Sequence, residues 1–218
     1  MGIEVAFFDC DGTLTKVKSS WEYIHRRLGI WENHADEYQR LFRKGLIDYN
    51  EFCSRDALLW KGLALSDVMA IVNEIPYQDG ARETLAALKD MGIYTVIIST
   101  GLSFLVERAR AELHIDRALS NELLTENGFL TGQAKINVQY ESKGRWVKDI
   151  LAELGVDRSS SCAVGDGEGD RAMFEAVGLP IGFDPDPSIG PLLAHTIADG
   201  KLPNLVRVLR GSRTGQEL

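Results

Sequence analysis

Short β-rich apolar runs recur along the chain, and each ends in small, polar or acidic residues. Residues 3–8 lead into Asp9-Cys10-Asp11-Gly12-Thr13, residues 93–98 into Ser99-Thr100-Gly101, and residues 161–164 into Gly165-Asp166-Gly167-Glu168-Gly169-Asp170. Apolar runs of this kind suit parallel strands covered by helices on both faces. Residues 179–183 and 195–198 read as later short strands. Helices are expected over 80–91 (stopped by Gly92), 103–113, 144–154 and 171–177, with one more after Asn204 ending in a frayed tail. Asn127-Gly128, between strand-forming residues, predicts a hairpin over 123–132, a small ribbon beside the core.

Between residues 19 and 74 the pattern changes to helical periodicity with many aromatics and no strand-like run. Trp21, Ile24 and Leu28 share one helix face, and Tyr38, Leu41 and Phe42 another. Asp48 is placed to cap a third helix reaching Trp60, and Ser66 a fourth that ends before Pro76. The expected organisation is an α/β core from residues 1–16 and 77–218, with a helical cap inserted over 17–76 and flexing near Val17 and Tyr77. Burial preferences make the aromatic stripe the cap's own core before they make it a substrate box.

The chemistry gathers at the strand ends. Side chains alternate along extended backbone, so Asp9 and Asp11 point the same way past the sheet's carboxyl edge, where open α/β folds bind ligands. Two acids this close repel unless a cation or shared proton compensates them. The spacing therefore points to a hard-metal site or an acid–base pair, against the plain alternative of a solvated Asp-Gly turn. Ser99, Thr100 and Gly101 offer hydroxyl and backbone N–H donors suited to a phosphate oxygen. Lys143 heads a helix, whose dipole adds to its charge. Asp166 and Asp170 lie among glycines that permit close backbone approach, and carboxylates brought from opposite halves of the chain call for a cation. The four histidines are isolated, and none is assigned a catalytic role.

Composition sets bounds. A chain of 218 residues, 44% hydrophobic, has room for one substantial core and a small accessory domain. A net charge of −8 excludes a general nucleic-acid surface. No apolar run approaches the ~20 residues of a membrane span, and no early segment has the order of a signal peptide, so a cytoplasmic protein without a membrane partner is expected. Cys10, Cys53 and Cys162 are too few and scattered for a disulfide framework or zinc site, and Cys10 and Cys162 read as small buried hydrophobes. Monomer and homodimer stay open.

The three strand-end clusters, with Lys143 at a helix start between the second and third, resemble in this order the four signatures of the haloacid dehalogenase superfamily. That resemblance implies a Rossmann-like parallel sheet with a cap after the first strand, and a phosphatase in which Asp9 is the nucleophile and Asp11 the general acid and base. It also implies that Ser99, with Thr100 and Gly101, binds the phosphoryl group and that Lys143 orders the charges. Magnesium would be held by Asp9, Asp166 and the backbone carbonyl of Asp11, with Asp170 orienting a metal-bound water or Lys143. Within the superfamily the cap, the hairpin and the Gly-Asp-xxx-Asp ending are similar to phosphoserine phosphatases, and Arg55 matches the lid arginine that grips the substrate carboxylate there. The implied substrate is a small phosphorylated metabolite, phosphoserine first, with another small phosphorylated acid or a sugar phosphate as alternative. Two positions depart from that family: Lys18 stands where its members carry a glutamate for the substrate amine, with Glu22 one helical turn further on, and Gly169 where they carry an asparagine. A phospho-accepting receiver domain would share the strand-end acids, the hydroxyl and the lysine, but it lacks the Asp-x-Asp turn and the helical lid.

Overall fold

The computed structural model describes residues 2–214. Seven strands form one sheet in the order β4-β3-β2-β1-β5-β6-β7. The central strand β1 (Val5–Phe8) is buried throughout and pairs in parallel with β2 (Tyr94–Leu102) on one side and β5 (Ser161–Gly165) on the other. Its alternating side chains serve two cores. Ala6 and Phe8 pack with apolar residues of α5 (Ala81–Asp90), α6 (Ser103–Glu112) and α9 (Asn204–Thr214). Val5 and Phe7 pack with those of α7 (Lys143–Leu154) and α8 (Arg171–Ala176). Burial on both faces is what selected an apolar run rather than a polar alternation. β6 (Leu179–Phe183) and β7 (His195–Ile197) extend the parallel sheet at one edge.

At the other edge the expected separate ribbon is part of the sheet. β3 (Arg117–Glu126) pairs in parallel with β2, and β4 (Phe129–Lys135) returns antiparallel to β3 through Asn127-Gly128, both at positive φ. The second strand also runs further than its apolar content indicates. It continues through Ser99-Thr100-Gly101 to Leu102, with the register against β3 shifting between Ile98 and Leu102.

Between β1 and α5 the described chain is helical: α1 (Ser20–Arg27), one wide turn at Trp31–Ala35, α2 (Asp36–Arg43), α3 (Tyr49–Leu58) and α4 (Leu65–Asn73). Asp48 caps α3 as expected, its carboxylate accepting from Glu51 N–H at 2.8 Å. Ser66 does not cap α4. That helix begins two residues earlier than a Ser66 cap would place it, because Ala64 is held in a β-bridge to Phe129 and the backbone leaves it directly into the helix. The α3–α4 loop thus sits against the hairpin tip, with Gly62 N–H donating to Leu130 C=O (2.8 Å) and Leu65 N–H to Gly128 C=O (2.9 Å). The two linkers pair at Thr15 and Tyr77. Arg108 of α6 fixes the far end of α4, donating to the carbonyls of Val72 (2.6 Å) and Ile75 (2.5 Å). No helix among the described residues is long and apolar enough to cross a membrane. Cys10, Cys53 and Cys162 are all buried and unpaired.

Candidate active site

Asp9 directly follows the central strand, so its carboxylate stands at the middle of the sheet's carboxyl edge. Lys143, from the first turn of α7, is among the largest fully buried side chains, with its ammonium 2.8 Å from Asp9 Oδ1 and 2.6 Å from Asp170 Oδ1. A buried ammonium is tolerable only where charge compensates it. Burial opposes its protonation, yet the charges of Asp170 and Asp9 prevail and hold Lys143 above the usual lysine range. Asp170 is fully engaged, since its other oxygen accepts from Asp166 N–H (3.0 Å) and Gly167 N–H (3.2 Å). Gly165 makes that clamp possible, because a Cβ there would lie 2.4 Å from Asp170 Oδ2.

Asp11 is oriented differently. Ser20, the first residue of α1, donates to Asp11 Oδ2 from both its N–H (2.8 Å) and its hydroxyl (2.7 Å), leaving Asp11 Oδ1 buried without a hydrogen-bond partner. Burial raises the Asp11 pKa and the Ser20 hydrogen bonds only partly offset this, which favours a carboxyl that carries a proton to a leaving group. Gly101 faces the same spot. A Cβ there would lie 3.0 Å from Asp11 Oδ2 and from Ser99 Oγ and 3.1 Å from Ser20 Oγ.

The carboxylates of Asp9, Asp166 and Asp170 have oxygens within 4.8 Å of one another. Burial raises Asp9, Asp170 adds to the rise, and Lys143 opposes it. Asp166 is lifted to about 6, chiefly by burial. Such a group of acids ionises together only beside a cation. The donor set fits a hard divalent ion: Asp9 and Asp166 each keep an oxygen without a protein partner, and the carbonyl of Asp11 accepts no hydrogen bond among the described residues. Gly12, at φ +79°, brings the turn so close that a Cβ would lie 2.4 Å from Asp166 Oδ2. Lys18 reaches the same carboxylate, its ammonium 2.6 Å from Asp166 Oδ2 and 3.3 Å from Asp184 C=O.

These groups open on one cavity of about 300 Å³. Asp9, Asp11, Lys143, Asp166 and Asp170 line it, and so do Thr100 and Gly101. Ser99 does not. Its hydroxyl lies beneath the lining, buried and accepting from Gly101 N–H at 2.9 Å. Arg55 lies away from the cavity, pairing with Glu51 at 2.5 Å over the ring of Tyr38. Three residues make contacts at this site that the sequence did not show. Ser20 orients Asp11, and Tyr49 and Trp21 dock the helical segment on the end of β2, their Oη and Nε1 donating to Thr100 C=O at 2.9 and 3.5 Å. Asn121 donates to the same carbonyl at 3.0 Å. The only hint was for Ser20, which follows a serine suited to cap α1.

Comparison with known proteins agrees with this geometry. Residues 6–175 match the family model described as haloacid dehalogenase-like hydrolase. A phosphoserine phosphatase of Archaeoglobus fulgidus is 32% identical over 204 residues, which span 93% of this chain and 59% of that protein. One from Halobacterium salinarum is 30% identical, with coverage of 88% and 90%. A solved substrate-bound phosphoserine phosphatase complex superposes with a TM-score of 0.85 at 25% identity, covering 95% of this chain and 99% of that one.

Proposed function

The chain belongs to the haloacid dehalogenase-like hydrolases, and from that premise we infer that it hydrolyses small phosphomonoesters through an aspartyl phosphate on Asp9. The observation that carries this reading is the unequal setting of two neighbouring acids: Asp9 faces a buried ammonium at 2.8 Å, while Asp11 is held by Ser20 and kept prone to carry a proton. An Asp9 oxygen attacks phosphorus as the ester P–O bond breaks, and Asp11 gives its proton to the departing alkoxide. Asp11, now a carboxylate, takes a proton from water as the water oxygen attacks phosphorus. Inorganic phosphate leaves and Asp9 is restored. Lys143 is the donor proposed for the phosphoryl oxygens, and Thr100 and Gly101 border them, with Ser99 holding the Gly101 N–H and so the end of β2 in place. Asp170 keeps Lys143 and the Asp166–Gly167 backbone in register. Magnesium is the ion proposed for the oxygens of Asp9, Asp166 and the Asp11 carbonyl, where it supplies positive charge that lessens the repulsion between Asp9 and an anionic phosphate.

The relatives' names make phosphoserine the first substrate to try. Lys18 favours a second reading, a phosphorylated acid without an ammonium group, because a cation stands at the mouth of the site. Three buried free thiols suit the reducing cytoplasm as the place of action. The test is phosphate release from a panel of phosphorylated metabolites. Activity should appear with magnesium and vanish after chelation and stripping. Undiminished turnover in the stripped protein, or release from no phosphomonoester, would refute the reading.

A further inference from the structure

The cavity has a second end, away from Asp9. Gln39, Phe42 and Arg43 of α2 and Phe52 of α3 line it, opposite Tyr140. The wall is built from ring contacts: Phe42 stacks on Phe52 with centroids 5.2 Å apart and meets Tyr140 edge-on at 5.4 Å. Phe42 thereby fixes how α2 is rotated, and Gln39 and Arg43, four residues apart, share the helix face that borders the cavity. Arg43 is exposed and, among the described residues, has no carboxylate partner. Its neighbours in the cap are spoken for, Arg40 by Glu37 and Arg55 by Glu51.

The acids of the cavity are distributed the other way. Asp9, Asp11, Asp166 and Asp170 belong to the reacting end, and Glu168, the one further acid in the lining, is held by Arg171 at 2.5 Å. An ammonium on a leaving group finds no free carboxylate here, and Lys18 adds positive charge at the mouth. An anion finds a guanidinium with no competing partner.

We propose that Arg43 is the specificity-determining residue of this site and binds a second anion, in the first instance a carboxylate, on the alcohol portion of the phosphomonoester. The cavity favours that anion and makes no provision for an ammonium, so phosphoserine is turned over through its carboxylate and less well than an amine-free counterpart. This rests on the phosphomonoesterase reading. It assigns to Arg43 the role that sequence pattern gave to Arg55.

Four substrates separate the two charges. Phosphoserine carries carboxylate and ammonium, 3-phosphoglycerate carboxylate and hydroxyl, phosphoethanolamine ammonium alone, and glycerol 3-phosphate neither. The wild type should rank 3-phosphoglycerate first and phosphoethanolamine last. In Arg43→Ala the ratio of kcat/KM for 3-phosphoglycerate over glycerol 3-phosphate should fall about 10- to 100-fold, mostly through KM. Arg43→Lys should recover part of it, and Arg117→Ala, on a surface pair with Glu153, should leave the ranking alone. An equal loss on all four substrates in Arg43→Ala, or phosphoserine ahead of 3-phosphoglycerate in the wild type, overturns the proposal. If none of the four releases phosphate, the phosphatase reading fails instead. Calorimetric binding of the same four compounds then decides on Arg43, and the proposal falls if there is no carboxylate preference or if Arg43→Ala leaves one unchanged.

Discussion

Replacing Lys143 by methionine removes the one buried cation of the reacting end while keeping much of its volume. Its ammonium lies within 2.8 Å of two carboxylates, and the side chain is 2% exposed, so solvent cannot take its place. Breaking a buried pair by deleting one partner costs about 3–5 kcal/mol, which for a chain of this length lowers Tm by roughly 6–20 °C. The pH dependence has a definite sign. Lys143 is raised above the usual lysine range, so in the wild type its contribution is fully present below the ordinary lysine pKa. Asp9 is raised by burial, so stability from its protonated form is present in acid and lost as pH rises through the raised value. Without Lys143 that loss extends further. The deficit of Lys143→Met against wild type should be smallest near pH 5 and largest near pH 8. Urea denaturation in chelator at several pH values measures it, and Asp9→Asn in the Lys143→Met background should recover part of the loss. A deficit below about 1 kcal/mol, or one that does not change with pH, would refute the account of Lys143 as a buried, doubly paired cation.

Asp11→Asn should slow alkyl phosphate hydrolysis by about 10²- to 10⁴-fold while keeping substrate binding, as read by steady-state kinetics and calorimetry; unchanged kcat removes Asp11 from proton transfer. Lys18→Ala should tighten magnesium binding by up to about fivefold in titration calorimetry, since the ammonium 2.6 Å from Asp166 no longer competes, and this partly exposed pair carries at most a modest energy. Weaker metal binding would show that Lys18 does not oppose the ion. Asp56 of α3 is raised by burial, with His25 at 3.5 Å opposing, so stability from its protonated form is lost as pH rises. Asp56→Asn cannot ionise and should gain stability over wild type between pH 4 and 8, by about 1.4 kcal/mol for each unit of the rise; a constant difference in denaturation midpoint across that range would contradict it.

The sheet and its strand-end residues were legible because two strong regularities coincide: apolar runs mark strands buried on both faces, and acids or hydroxyls directly after such runs must emerge at the carboxyl edge. That is how Asp9, Asp11 and Asp166 were expected in one place, with Lys143, at the head of a helix, joined to them by the family resemblance; the four come from three parts of the chain and all line one cavity. The helical segment was legible as helices but not as a surface. Arg55 and Arg43 are both cap arginines in last turns. Which of them borders the cavity depends on the rotation of α2 and α3, fixed by the contacts among Phe42, Phe52 and Tyr140, and periodicity shows a face without showing what it faces. The same reason hides Tyr49, whose hydroxyl meets Thr100 C=O across the fold. The start of α4 was misread at Ser66 because a long-range bridge, Ala64 to Phe129, overrides the local capping preference.

The central claim is that Asp9 becomes phosphorylated during turnover. Acid-quenched mass spectrometry of the Asp11→Asn protein, mixed with magnesium and para-nitrophenyl phosphate, whose leaving group needs no proton from Asp11, tests it most directly. The slowed second step should let one phosphoryl group accumulate on the peptide containing Asp9, labile to hydroxylamine and absent when Asp9 is also changed to Asn. A phosphoryl group on another residue, or wild-type turnover surviving in Asp9→Asn, would contradict the account.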